Sequence, residues 1–159
     1  MRVHVGRVKG LVQRVASAAV NVDGVCVGAI EQGLFALVGV GHDDDERDAD
    51  LLADRMIGLR VFSDREGKMN LALADVGGSL LVVSQFTLMG DTRRGRRPSF
   101  VAAAAPDRAA ALIERLVAKA RALGTAVETG RFGAHMEIDL RADGPVTLML
   151  DTKQSRSDA

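Results

Sequence analysis

Residues 33–41 read GLFALVGVG, a continuous apolar run set between glycines. A run of this kind is typical of a β-strand that is covered on both faces. Towards the N-terminus, the stretches 11–15 and 18–22 are also strand-like, and the second ends at Asp23-Gly24. That dipeptide is a two-residue turn signal. The first third of the chain is therefore predicted to form strands, with a hairpin at this turn.

Two segments have the spacing of amphipathic helices. Residues 43–50 hold six acids against the single base Arg47, and apolar residues follow at positions 49, 52, 53, 56 and 57. Acids in a first turn suit the positive end of a helix dipole. From Pro106 onwards, apolar residues recur at helical spacing as far as position 123, and Gly124 follows as a stop. We predict a helix in each segment.

The remaining regular segments also read as strands. Residues 79–86 form a second candidate for a buried strand. Residues 135–140 alternate polar and apolar, and the segment 146–150 follows the tetrad ADGP at 142–145, which indicates two strands joined by a turn. No repeat or linker interrupts the chain. We therefore predict one α+β domain over residues 1–159, with a largely antiparallel, barrel-like set of strands and two main helices.

Composition excludes several classes of protein. Lysine plus arginine equals aspartate plus glutamate at 21 each, so no global field draws the chain to nucleic acid or to an acidic membrane. Aromatic residues are only 3%, which argues against extended base-stacking platforms. The single cysteine, Cys26, excludes an internal disulfide and a thiolate metal cluster. With no apolar run of membrane-spanning length, we expect a soluble cytoplasmic domain that makes no membrane contact.

Two clusters contain residue types that bind metals. His42 precedes the three acids 43–45, and His135, Glu137 and Asp139 share one face of a predicted strand. Capping of a helix start explains the acids, and a polar face on an antiparallel strand explains the second group. The chain also lacks a dinucleotide fingerprint and a phosphate loop. We expect no metal and no cofactor.

The segment DTRRGRRP at residues 91–98 has no apolar period and is predicted to be an exposed basic loop. Its four arginines stand at positions 93, 94, 96 and 97 of a chain with no net charge. Such a patch can neutralise several phosphates, and it can equally be a solvated surface loop. Composition leaves both interpretations open.

The segment SQFT at residues 84–87 ends a predicted buried strand, which is a usual place for a functional site. A hydroxyl of Ser84 or Thr87 would need a base to act as a nucleophile, and none of the three histidines lies nearby in the sequence. Taken alone, the segment is explained as the end of a strand. The residues concerned are Ser84, Gln85, Phe86 and Thr87.

Several segments, in their order and spacing, resemble the D-aminoacyl-tRNA deacylases of the bacterial and eukaryotic type. The resemblance runs from about residue 11 to residue 151. It rests on VQRV at 12–15, residues 34–44, EGKMN at 66–70, SQFTL at 84–88, GDT at 90–92, GRRPSF at 95–100, ETGRFG at 128–133 and DGPVT at 143–147. Each motif is weak by itself, and their combination is specific.

The resemblance implies a homodimer that hydrolyses the ester between a D-amino acid, or glycine, and the terminal adenosine of tRNA. Residues 84–87 carry one functional motif. Gly144-Pro145 carries the other, with a cis peptide bond that enters the site of the partner subunit and rejects L-aminoacyl-tRNA. By motif position, Phe132 and Met136 line the adenosine or aminoacyl pocket, and Arg14 holds the Gly-Pro loop.

Physical reasons make such residues suitable for this task. D- and L-substrates carry the same side chains, so only a rigid wall that senses the arrangement around Cα separates them. Fixed main-chain oxygens of Gly144 and Pro145 provide such a wall.

An aminoacyl ester is already activated, so a held water, N–H groups near Phe86 and Thr87, and the adjacent ribose hydroxyl suffice for hydrolysis. Thr87 as the attacking group is the less favoured version.

Two other functions remain compatible with the sequence. One alternative is a non-catalytic RNA-binding dimer that uses its arginine loop. The other is a hydrolase that acts on some other small ester.

The sequence departs from the family pattern in two places. Ala142 stands where members of the family usually have Asn, so one turn-stabilising side chain is absent. Residues 1–7 precede the usual start and are expected to be an extension or an early start, while residues 153–159 are expected to form a flexible tail.

Overall fold

A computed structural model describes residues 8–152 of the chain. The expected N-terminal extension, residues 1–7, and the expected tail, residues 153–159, lie outside this range. Within the range the fold is α+β and consists mostly of strands, as predicted. None of its helices has the length and apolar character needed to cross a membrane.

The elements follow one another along a single chain. The strands are β1 Lys9–Val22, β2 Val25–Ile30, β3 Gly33–Gly39, β4 Phe62–Ser63, β5 Met69–Leu71, β6 Ser79–Ser84, β7 Ala126–Thr129 and β8 Glu137–Asp151. The helices are α1 Glu46–Gly58, the single turn α2 Leu73–Val76 and α3 Pro106–Ala122, and a 3-10 helix covers Phe86–Met89. The two predicted helices are thus α1 and α3.

A long hairpin organises the main sheet. β1 pairs antiparallel with β2 and β3 along one edge and with β8 along the other. The predicted turn is present, with positive φ values of 50° at Asp23 and 78° at Gly24. Because such φ values match a two-residue hairpin turn, the sequence signal was correct. Residues 11–15 and 18–22 form one strand, and no break separates them.

The sheet curls into a nearly closed barrel. β3 pairs parallel with β6, and β6 pairs parallel with β7. β7 then approaches β2 so closely that a Cβ added to Gly28 would collide with the main-chain oxygen of Thr129. β4 and β5 form a separate small hairpin. The parallel pairing modifies the predicted antiparallel set, although the strands remain barrel-like.

Two apolar clusters cover the two faces of the central strands. Leu34 of β3 and Leu80 of β6 pack towards the helices α1 and α3. Their chain neighbours Phe35 and Leu81 point to the other face, into the interior of the curled sheet. This alternation is the period of two of a strand, and it explains why residues 33–41 are apolar without interruption.

The acid-rich segment begins α1, as predicted. The Asp45 carboxylate accepts hydrogen bonds from the N–H groups of Arg47 and Asp48, at 3.0 and 3.3 Å. The Asp48 carboxylate accepts in return from the Asp45 N–H at 3.0 Å, which completes a capping box. These acids therefore stabilise the start of the helix.

The prediction for the C-terminal third was wrong in one respect. Residues 135–140 and 146–150 do not form two strands joined by a reversing turn, because β8 runs in one direction from Glu137 to Asp151 beside β1. The tetrad at 142–145 is an irregularity inside this strand. Likewise, the strand expected over 79–86 ends at Ser84, and the 3-10 helix follows.

Candidate active site

The segment that follows β6 lies where three parallel strands end. β3, β6 and β7 run in the same direction and finish at Gly39, Ser84 and Thr129. Binding sites form at such an edge because the loops that leave neighbouring strand ends meet there. The fold therefore brings residues 84–87 and residues 130–136, which are far apart in the sequence, to the same edge.

Gln85 turns the chain at the end of β6. Its N–H donates to the Val38 oxygen at 2.8 Å, and its own oxygen accepts the Leu88 N–H at 3.2 Å. The 3-10 helix that starts here leaves the N–H groups of Phe86 and Thr87 without an acceptor inside the helix, since the first donors of any helix are unpaired. Two neighbouring main-chain donors are thus available in an exposed segment.

The side chains of this segment include no evident base. The Gln85 amide donates a hydrogen bond to the hydroxyl oxygen of Thr87. Within residues 8–152, no histidine or carboxylate is hydrogen-bonded to that hydroxyl, and the imidazole of His42 contacts Asp43 at 3.0 Å instead. In residues 8–152 the structure thus places a positioned hydroxyl next to Phe86, with no histidine or carboxylate bonded to it.

A cavity of about 500 Å³ opens next to Ser84. Thr129 and Phe132 line it on the side of the sheet edge, and Ile113 and Glu114 of α3 line the opposite side. Ser84 is the member of residues 84–87 that contributes to the wall. A cavity of this size suits a small ligand or one end of a larger one.

Phe132 and Met136 occupy different positions relative to this cavity. Phe132 lines it with 43% of the residue exposed. Met136 lies beneath, packed on the interior cluster, and a Cβ added to Gly130 would come within 2.7 Å of its sulfur. A side chain at position 130 would therefore displace the Met136 thioether. Phe132 is placed to contact a ligand directly, and Met136 supports the loop that carries it.

The second predicted motif interrupts the pairing of β8 with β1. Val15 faces Ala142 and Gln13 faces Thr147, so residues 143–146 stand opposite Arg14 alone. Four residues against one form a large bulge. The main-chain oxygens of this segment have no regular position in the ladder with β1.

Gly144 has a conformation that other residues rarely adopt. Its φ is +134°, and the peptide bond to Pro145 is cis, as the resemblance implies. A Cβ at this position would lie 2.8 Å from the Val146 nitrogen and 3.2 Å from a guanidinium nitrogen of Arg14. Glycine is therefore the residue type that this bulge accommodates.

Arg14 fixes the bulge by a set of polar contacts. Its Nε donates to the Asp143 main-chain oxygen at 3.0 Å and lies 3.3 Å from the Asp143 carboxylate. Its Nη1 donates to the Val61 oxygen at 2.6 Å. The side chain is only 12% exposed. These contacts anchor the segment next to Ala142, whose side chain forms no hydrogen bond.

The two predicted motifs of one chain are separated along the sheet. The bulge in β8 lies opposite Arg14 of β1, Arg14 is paired with Leu34 of β3, and Leu34 is paired with Leu80 of β6. Leu80 is therefore three strands away from the bulge. Ser84 lies four residues beyond Leu80 along β6. With strands about 4.8 Å apart and about 3.3 Å per residue, this amounts to about 14 Å across the sheet and about 13 Å along it. The chain does not bring its own Pro145 against its own residues 84–87 by sheet pairing.

The metal-binding candidates have other partners. Asp44 accepts a hydrogen bond from the Gly41 N–H at 2.6 Å, and Asp139 accepts one from the Asn21 amide at 3.1 Å. In the part of the chain that the structure describes, no three histidine, cysteine or acidic side chains are arranged to hold a metal ion.

The α3 side of the cavity was not predicted from the sequence. Ile113 and Val117 belong to the apolar stripe of α3, and both line the cavity together with Glu114 and Arg121. From their helical spacing, Ile113 and Val117 are both expected in the core. The spacing does not indicate that this face of α3 borders a cavity. The charged neighbours on the same turns are the only hint in the sequence.

Comparisons with known proteins agree on one family. The family model described as D-Tyr-tRNA(Tyr) deacylase matches residues 11–151. A D-aminoacyl-tRNA deacylase of Thermotoga petrophila is 55% identical over 146 residues, which cover 92% of this chain and 98% of the relative. A D-aminoacyl-tRNA deacylase of Koribacter versatilis is 56% identical over 144 residues, with 91% and 97% covered.

Solved structures show the same fold. The structure of the c-Myc DNA Unwinding Element Binding Protein superposes with a TM-score of 0.85 at 32% identity, and covers 89% of this chain and 97% of that chain. A structure described as that of a probable eukaryotic D-amino acid tRNA deacylase has a TM-score of 0.77 at 19% identity, with 91% and 99% covered. The second likeness concerns the fold alone.

Proposed function

Because this chain belongs to the D-aminoacyl-tRNA deacylase family, it is a hydrolase of D-aminoacyl-tRNA, and we propose that it divides this task between two regions. Residues 84–87 and the adjacent cavity hold the ester end of the tRNA. The bulge at residues 143–146 senses the handedness of the amino acid. The observation that carries the proposal is the cavity beside Ser84, at the edge where the two unpaired N–H groups lie.

The cavity fits the 3′-terminal adenosine and its ester. Phe132 offers an exposed ring against which a base or an aminoacyl side chain can pack, and Met136 packs close to Gly130 in the same loop. Ser84 contributes a hydroxyl to the same wall. Binding in this position brings the ester carbonyl towards Phe86 and Thr87. No cofactor is required in this scheme.

Hydrolysis then rests mainly on the backbone and the substrate. The N–H groups of Phe86 and Thr87 stabilise the oxyanion that forms when a water attacks the ester carbonyl. The ribose hydroxyl next to the ester assists the proton transfer, and the released products are the free D-amino acid and tRNA. The absence of a base beside Thr87, within residues 8–152, favours this scheme over attack by the Thr87 hydroxyl.

Discrimination against L-substrates is assigned to main-chain atoms of Gly144 and Pro145. Their oxygens are outside the ladder, and Arg14 holds the segment in place. A fixed surface of this kind clashes with an L side chain and accepts the D arrangement, whatever the side chain is. Glycine has no side chain to exclude, so glycyl-tRNA is expected to be hydrolysed as well.

A homodimer completes the site in this proposal. The bulge is remote from residues 84–87 of its own chain along the sheet, and a second copy can present it there. β8 supports this arrangement because it is a fifteen-residue edge strand with exposed Leu140, Leu148 and Met149. A long apolar edge of this kind is suited to a partner. We place the activity in the cytoplasm, where charged tRNA is used.

Incubation with D- and L-aminoacyl-tRNA carrying the same amino acid tests the function. We expect loss of the D-ester and survival of the L-ester. Retention of both would support a non-catalytic RNA-binding protein. Cleavage of free aminoacyl esters without cleavage of charged tRNA would support a hydrolase of other small esters. Sedimentation equilibrium on the same sample measures whether the chain is a dimer, and a monomer would contradict the shared site.

A further inference from the structure

The basic loop at residues 91–98 is a finger that projects from the candidate site. Its base is closed by two main-chain hydrogen bonds between Asp91 and Ser99, at 2.7 and 2.9 Å. Gly95 lies at its tip with a φ of 67°, and no atom lies within 4 Å of the point that a Cβ would occupy there. Every residue from 92 to 99 is exposed. The loop therefore presents its side chains to solvent and to large partners.

The base of the finger is joined to the proposed catalytic segment. The 3-10 helix ends at Met89, and Asp91 follows after one residue. The rings of Phe86 and Phe100 meet edge to face, with centroids 5.1 Å apart. Since four residues of extended chain reach at most about 14 Å, the tip remains within that distance of the base. The base of the finger is thus in direct contact with Phe86.

The charge of the finger is largely uncompensated. Arg93 forms a bidentate pair with Asp91, with Nε–Oδ1 and Nη2–Oδ2 distances of 2.9 and 2.8 Å. These hydrogen bonds from Arg93 hold the pKa of Asp91 well below its usual range, so the carboxylate stays ionised. Among the described residues, Arg94, Arg96 and Arg97 have no acidic side chain at salt-bridge distance.

We propose that Arg94, Arg96 and Arg97 bind phosphates of the acceptor end of tRNA, beside the terminal nucleotide whose ester enters the site. The inference rests on the proposed function, and it adds the surface that recognises the body of the substrate. A chain without net charge has no general attraction for RNA, so a local cluster next to the site supplies it. Guanidinium groups suit phosphates because they donate in a planar, bidentate manner.

Two substrates separate phosphate binding from chemistry. D-aminoacyl-tRNA carries the phosphates, whereas D-aminoacyl-adenosine carries the same ester without them. In the triple variant Arg94→Ala/Arg96→Ala/Arg97→Ala, we expect kcat/KM for the tRNA substrate to fall at least tenfold at low salt. The value for D-aminoacyl-adenosine should stay within twofold of the wild type, because the ester end contacts other residues.

The salt dependence gives a second readout. Loss of three phosphate contacts should make the slope of log(kcat/KM) against log[salt] shallower by about 2, since each contact contributes about 0.7 to 0.9. Arg96→Lys should keep most of the slope because the charge remains. Arg47→Ala is the matched control, because Arg47 is an exposed arginine paired with the acid two positions before it, outside the finger. It should leave the slope unchanged.

Equilibrium binding of uncharged tRNA tests the proposal independently of hydrolysis. We expect the triple variant to bind at least tenfold more weakly than the wild type and Arg47→Ala to bind like the wild type. Equal loss of activity on both substrates would show that the finger shapes the site, and unchanged tRNA affinity would point to another partner. Either result overturns the proposal. A wild type that binds tRNA but hydrolyses neither substrate would refute the proposed function alone.

Discussion

Residues 84–87 and residues 143–146 are held in place by different forces. The first segment follows β6, whose residues Leu80 to Val83 are at most 1% exposed and lie between two apolar clusters. The second lies in β8, where Asp151 is the one buried residue of fifteen. Packing fixes residues 84–87, and the contacts of Arg14 together with the shape of Gly144 fix the bulge.

This difference suggests that stability and stereoselectivity are separable in this protein. Damage to the packing beneath β6 should lower the free energy of unfolding without changing which enantiomer is accepted. Damage to the bulge should change the enantiomer preference at a smaller cost in stability. Three variants test this separation and a fourth tests the role of Thr87, beginning with the largest expected effect.

Leu81→Ala removes a fully buried side chain from the interior cluster. We expect the free energy of unfolding to fall by about 2 to 5 kcal/mol, because a cavity is left among close-packed neighbours. Urea denaturation measures this loss. Leu123→Ala, at a 47% exposed position, is the control and should change the stability by less than about 0.5 kcal/mol. A changed preference for L-aminoacyl-tRNA in folded Leu81→Ala would contradict the separation.

Gly144→Ala places a Cβ 2.8 Å from the Val146 nitrogen at a φ of +134°. The strain is about 1 to 3 kcal/mol, which is enough to displace the bulge. We expect the ratio of kcat/KM for D- over L-aminoacyl-tRNA to fall between about fivefold and 150-fold, the factor that about 1 to 3 kcal/mol represents. Gly24→Ala has a positive φ of 78° without any close neighbour, and it should keep full activity. Wild-type rates in Gly144→Ala would mean that the bulge does not contact the substrate.

Arg14→Ala removes the contacts to Asp143 and Val61. We expect the ratio of kcat/KM for D- over L-aminoacyl-tRNA to fall about tenfold, since charge-assisted hydrogen bonds contribute about 1.5 to 3 kcal/mol. Arg55→Ala is the matched control, because Arg55 donates to the Asp151 oxygen at the other end of β8. An equal change of the ratio in both variants would indicate a general effect on β8 and not a specific role of the bulge.

Thr87→Ala is expected to have the smallest effect. If the backbone and the substrate drive hydrolysis, single-turnover rates should fall less than about tenfold, or about 1.4 kcal/mol. Thr87→Ser restores a hydroxyl and separates the two mechanisms. Abolished turnover in the alanine variant, with recovery in the serine variant and an intact fold, would restore Thr87 as the attacking group.

Local sequence patterns predicted the parts of the fold that depend on near neighbours. Alternation and turn chemistry identified the hairpin at Asp23, and helical spacing identified α1 and α3. β7, Ala126–Thr129, was not predicted, because its four residues form no distinctive pattern and its place is set by parallel pairing with β6. The turn expected at residues 142–145 failed for a related reason, since pairing with β1 overrides the local turn signal.

The candidate site shows the same division. Residues 84–87 were identified as a strand end from sequence, and the family resemblance supplied their role. The contact of Arg14 with Asp143 spans 129 positions of the chain, and no local pattern indicates it. The cavity beside Ser84 could not be predicted from the sequence either, because the α3 residues that line it have the same apolar spacing as residues of the core.

The order of amino acids determined most of the segments that become strands and helices, where main-chain donors are left unpaired, and where positive charge accumulates. Those properties depend on side-chain period, capping and composition over a few residues. Only the tertiary structure decided which strand edges meet, which of the helix faces borders a cavity, and how far the bulge lies from residues 84–87. Such distances depend on pairing between remote segments, whose free energy comes from packing of the whole chain.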